Sequence, residues 1–206
     1  MSDQAKIMLS PAELASAADK NVILTKTAVI QKAFELFGSM TGIINEVWAG
    51  KLMSDEKLSS SVPKISKGEN YKGFPYVILD YPSAFSKENI FALRTMFLWG
   101  HFVSIALHLS GKYAAYVNRE LAEKDPELFI AAGEAEWEHG FDENNFILLS
   151  SLDPEHKKNL YSRDFIKIAY KYELSDWNNL PQLLPEGYQN LANKLKNYPT
   201  KQISKS

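Results

Sequence analysis

Residues Phe91–Leu109 read FALRTMFLWGHFVSIALHL, a nineteen-residue apolar run whose only ionisable side chains are Arg94, His101 and His108. A helix that crosses a bilayer needs about 20 mostly apolar residues, so the length nearly qualifies. An arginine costs such a helix roughly 2.5–3.5 kcal/mol at its centre and less near an end. His101 would lie at mid-membrane, and the flanks show no strong Lys/Arg asymmetry. No membrane association is expected. A single buried helix over residues 86–124 would have to absorb Gly100 and Gly111, at about 1 kcal/mol each relative to alanine. A β-hairpin turning at Gly100-His101 instead uses the glycine where a type II′ turn needs positive φ. That register pairs Trp99 with Phe102 and Arg94 with Leu107. It sets His108 opposite Leu93, on the other face from Arg94, so the two cannot serve one site.

The neighbouring segments extend the sheet. Tyr76–Tyr81 is rich in β-formers and bounded by Pro75 and Pro82. Asn145–Ser150 and Asp164–Glu173 supply further strands. The expected fold is α+β, with an antiparallel sheet of about five strands, near 75–81, 91–99, 102–109, 145–150 and 164–173. Connections of fewer than ten residues between the first three favour antiparallel pairing.

Helices flank these strands. Ser10-Pro11-Ala12-Glu13 is a capping-box pattern with proline at the first helical position. A long helix is expected from about Thr27 to Leu52, its stripe Ile30, Ala33, Phe34, Phe37, Ile44, Val47 and Trp48 recurring at helical spacing. Residues 54–74 read as a polar connection. Helices are also expected over Lys112–Lys124, from Asp125-Pro126 to about His139, for one or two turns after Asp153-Pro154, and over Pro185–Tyr198. The whole chain, 1–206, reads as one domain with loose ends at about 1–9 and 199–206.

Composition narrows the function classes. The 206 residues are 45% hydrophobic and 23% charged, as in a globular protein. A net charge of −2 gives no attraction to nucleic acid, although Lys64, Lys67 and Lys72 are interleaved with Tyr71, Phe74 and Tyr76. With no cysteine, disulfides, thiolate metal sites and cysteine nucleophiles are excluded. The N-terminal sequence has no basic flank followed by an apolar run, so a cytoplasmic location is the default.

Four residues stand out as a candidate ligand site. Arg94, mid-strand among apolar neighbours, must be paired or must face a cavity that holds an anion. Asp80 on the preceding strand is its candidate partner. His108 and Ser104 share the other face, without a third carboxylate to complete a triad. A weaker metal candidate is Glu134, Glu136, Glu138 and His139, followed by Asp142 and Glu143. Di-iron bundles use the Glu-x-x-His pair twice, with two further glutamates; here the helical run carries it once. No cofactor is expected. Three classes therefore compete: a non-catalytic domain that binds a small ligand or protein partner in a pocket between sheet and helices, an enzyme with Arg94 as clamp for a carboxylate or phosphate, and a metal-binding protein.

Overall fold

The computed structural model describes residues 7–52, 55–142 and 145–196. The expected loose ends lie largely outside them, as does Glu143. Chain order begins with helices α1 (Pro11–Ala18), α2 (Lys20–Leu52) and α3 (Glu56–Ser59). Four strands follow: β1 (Lys64–Tyr71), β2 (Phe74–Phe85), β3 (Ile90–Leu98) and β4 (Phe102–Ser110). The remainder is a 3-10 turn (Gly111–Tyr116), α4 (Arg119–Glu123), β5 (Phe129–Ala131), β6 (Phe146–Leu148), a second 3-10 turn (Leu149–Ser151), α5 (Pro154–Tyr161), β7 (Phe165–Glu173), a third 3-10 turn (Leu174–Asn179) and α6 (Leu180–Asn193). The class is α+β, but the antiparallel sheet has seven strands among the described residues, in the order β1-β2-β3-β4-β7-β5-β6.

The opening stretch is the central hairpin β3–β4, and its register differs from the expected one by a residue. Leu98 pairs with Phe102, which leaves Trp99-Gly100-His101 as a three-residue loop with Gly100 at φ 73°. Hairpins of two and three residues both seat a glycine at positive φ, so the sequence fits either. A one-residue shift moves every side chain of one strand to the other face relative to its partner. Arg94 therefore pairs with Ala106, and Ala92 with His108. Arg94 and His108 share a face, contrary to the expectation. Among the described residues no helix is long and apolar enough to cross a membrane.

Three local expectations are corrected. The polar connection at 54–74 contains α3, capped by the Asp55 side chain, and the edge strand β1. Lys72 and Gly73, at φ 52° and 92°, turn β1 into β2, the pair of positive values a type I′ turn needs. The helix expected over Asp125–His139 is absent. Phe129–Ala131 pairs with β6 and β7 instead, and Ala132–Asp142 follows as an irregular strap. Asp125 does not cap a helix; it receives the Tyr170 hydroxyl at 2.6 Å and the Lys194 ammonium at 2.8 Å. The helix expected at Lys112–Lys124 is a 3-10 turn, Gly111–Tyr116, followed by the short α4.

The two faces of the sheet have different covers. Leu93, Phe97, Ile105 and Leu107 meet the α2 stripe Ile30, Ala33, Phe37, Met40, Ile44 and Trp48, and α6 through Leu184, Tyr188 and Leu191. Tyr188 is fully buried, and its hydroxyl meets Thr95 Oγ1 at 2.8 Å. The other face, with Met96, Leu98, Phe102 and Phe165, is covered by the strap. Phe141 anchors that strap, stacked on Phe146 at 4.5 Å and edge-on to Phe102 at 4.9 Å.

Candidate functional site

Two regions compete for function: the polar network beneath the strap, and an aromatic cleft on the helical side. The network starts from Arg94. Its Nε donates to Asp80 Oδ1 at 2.7 Å and its Nη2 to Asp80 Oδ2 at 2.9 Å, the planar two-pronged match that suits guanidinium to carboxylate. The two residues are cross-strand neighbours on β2 and β3. Nη1 points at His139 Nε2, 2.6 Å away. Guanidinium nitrogens only donate, so His139 accepts there and is neutral, with its proton on Nδ1. Burial and then the Arg94 charge push its imidazole down to about 2.

His108 is buried on the same face, 3.0 Å through Nε2 from Glu136 Oε1. Burial, then Lys167 and Arg94, push it down to about 3. Glu136, one-third exposed, pulls the other way. Its carboxylate is screened by water, and burial wins. The ring is covered edge-on by Trp137 at 5.2 Å and Phe165 at 5.9 Å.

Lys167 was not among the candidate residues. It is 1% exposed, and its ammonium donates to the carbonyls of Glu136 at 2.6 Å and Glu138 at 2.7 Å. Burial lowers it to about 8, with Glu136 and Glu138 opposing. The only sequence signal was a lysine between Ile166 and Ile168 in an apolar strand. Arg163 ties the start of the strap, with Nη1 3.0 Å from the Ala132 carbonyl and Nη2 2.8 Å from that of Gly133. Tyr71 donates to Glu138 and accepts the His139 amide at 2.7 Å. Burial, reinforced by Glu138, pushes the phenol up to about 12.

Arg94, Asp80 and His108 are thus gathered beneath one strap with His139, Glu136 and Glu138. Ser104 faces the same side but makes no hydrogen bond to His108. Ala106 lies between them on β4, and four residues of strand span about 13 Å. The metal candidates diverge: Glu136 goes to His108, Glu138 to Tyr71 and Lys72, and His139 to Arg94, while Glu134 is exposed. Among the described residues no three His, Asp or Glu side chains converge as a metal site. Arg94–Asp80 and Lys72–Glu138 are ion pairs, and the Lys167 ammonium is held by two strap carbonyls; with Tyr71 and His139 these contacts fix the strap to the sheet.

The second region is a cleft of about 500 Å³ between α2, the hairpin tip and the 3-10 turn Leu174–Asn179. Val29, Phe97, Trp99, Leu174 and Trp177 form its walls, with Thr25 and Lys32 contributing polar atoms. Trp177 packs edge-on to Phe97 at 5.6 Å, and Trp99 meets the same ring at 6.3 Å. Comparison with known proteins finds no matching family, no similar curated protein and no similar solved structure.

Proposed function

We propose that this chain is a non-catalytic binding domain whose binding surface is the aromatic cleft. The observation that carries the reading is the cleft's composition: two half-buried tryptophans and Phe97 surround the space, with Lys32 exposed beside it. Ligand sites are typically concave and apolar, with a few polar groups to fix orientation. Rigid aromatic walls bury large area at small entropic cost. An apolar group with an anionic end matches this arrangement, carried by a small amphiphile or by a protein segment. The enzyme reading with Arg94 as anion clamp is less well supported, because Asp80 and His139 occupy the guanidinium.

Titration with anilinonaphthalene sulfonate, an aromatic anion, tests the reading. Saturable one-to-one binding is expected. Trp177→Ala should weaken it about tenfold or more, the worth of one buried aromatic contact, and Lys32→Glu should weaken it further at low salt. Binding that neither substitution changes would remove the cleft as the site.

A further inference from the structure

The N-terminal arm is the largest unexplained feature of the surface. Seven of the thirteen large apolar side chains that face solvent among the described residues lie in residues 7–24: Ile7, Met8, Leu9, Leu14, Val22, Ile23 and Leu24. Helix α1 buries none of its residues, although Ser10 and Glu13 close a full capping box at its start. Helix α2 has its first buried residue at Ile30. Its first ten residues therefore run about 15 Å without burying a residue. Isolated helices of this length are marginal in water and gain most of their stability from packing an apolar face. The bare face also runs directly into the cleft, because Thr25 and Val29 line one wall of it.

We propose that residues 7–24 dock against a second copy of this chain, arm against arm and into the aromatic cleft, around a two-fold axis. The proposal rests on the cleft being a binding surface and names its partner. Charge selects that partner. An antiparallel crossing of the two α2 starts, centred between Val22 and Ile23, sets Asp19 of each copy beside Lys26 of the other. Exposed Lys32 at the cleft has no carboxylate partner among the described residues, and the arm carries Glu13 as a second acidic side chain. Lys26 already meets Glu69 on its own chain, so the added Asp19 builds a shared network. A lipid surface fits less well. Residues 7–24 carry Glu13 and Asp19 against a single Lys20, whereas interfacial helices are rich in lysine and arginine. The arm's apolar side chains supply roughly 500 Å² per copy, and the cleft walls add to it, approaching the roughly 800 Å² per partner of a stable interface.

Sedimentation equilibrium of the full chain, from low to high micromolar, tests the assembly. A reversible dimer is expected. Ile23→Glu, on a side chain already 55% exposed, should weaken it at least about 100-fold, because each dimer loses the contact twice. Trp177→Ala should weaken it about tenfold or more. Asp19→Lys should weaken it, and adding Lys26→Asp should restore it. A monomer at every concentration overturns the proposal, as does a dimer indifferent to Ile23→Glu or to Trp177→Ala. Failure of the charge reversal to rescue overturns the crossing geometry. Binding of a monomeric chain to phosphatidylglycerol vesicles would assign the arm to membranes instead. The cleft reading is scored separately: monomeric Ile23→Glu protein must still bind anilinonaphthalene sulfonate, and loss of binding there sinks that reading.

Discussion

Acid should loosen the strap, and two histidines set the size of the effect. His139 accepts from Arg94 at Nε2, so protonation would force N–H against N–H beside a guanidinium. The folded protein holds His139 near 2 and His108 near 3. In the unfolded chain both return to about 6.5. As pH falls from about 7.5 to about 5.5 the unfolded state takes up protons that the folded state refuses, so stability falls. Each histidine then loses at most about 1.4 kcal/mol over that interval. Glu136 beside His108 trims its share, which leaves about 2 kcal/mol for the pair. Urea unfolding at the two pH values measures the difference directly. His139→Asn and His108→Asn should each remove their own part of the slope, whatever they do to stability itself. A slope unchanged in the double variant would refute the neutral-histidine assignment, as would stability that rises on acidification.

Other perturbations probe separate contacts. Asp80→Asn leaves the Arg94 guanidinium half-buried without its counter-charge and should cost about 3–5 kcal/mol in urea unfolding; a loss under 1 kcal/mol would mean that water reaches the pair freely. Lys167→Met removes two carbonyl tethers and should speed amide exchange of residues 132–142, with about 1.5–3 kcal/mol lost locally; unchanged exchange would contradict the tether. Gly100→Ala must hold a side chain at φ 73° and should cost about 1–2 kcal/mol, read as a lower thermal midpoint.

What the sequence made legible follows from how strongly each element patterns its residues. The α2 core stripe showed because Ile30, Ala33, Phe37, Ile44 and Trp48 recur at intervals of three, four and seven positions, one face of a helix. The hairpin showed because β-formers flank a glycine. Its register did not, because both faces of β3 and β4 are buried and apolar, so no alternation of polar and apolar residues pinned the pairing. That one residue decided whether Arg94 and His108 were neighbours. Strand β1 was hidden by its composition: Lys64, Ser66, Lys67, Glu69 and Asn70 suit an exposed sheet edge and resemble a loop. The segment after Asp125 carries helix-forming glutamates and alanines, but Phe129 and Ile130 complete the sheet, and tertiary pairing overrides local preference. The arginine's partner was legible in Asp80. Its second partner, His139, and the lysine tether were not, because the strap brings them in from far along the chain.

The central claim is that the aromatic cleft, and not the polar network beneath the strap, receives the ligand. Fluorine NMR of protein labelled with 5-fluorotryptophan tests it most directly, since the four tryptophans divide cleanly: Trp99 and Trp177 line the cleft, Trp48 is buried in the core, and Trp137 sits on the strap. Adding anilinonaphthalene sulfonate to the Ile23→Glu protein should shift the Trp99 and Trp177 resonances and leave those of Trp48 and Trp137 in place. A shift confined to Trp137 would place binding at the strap and contradict the account.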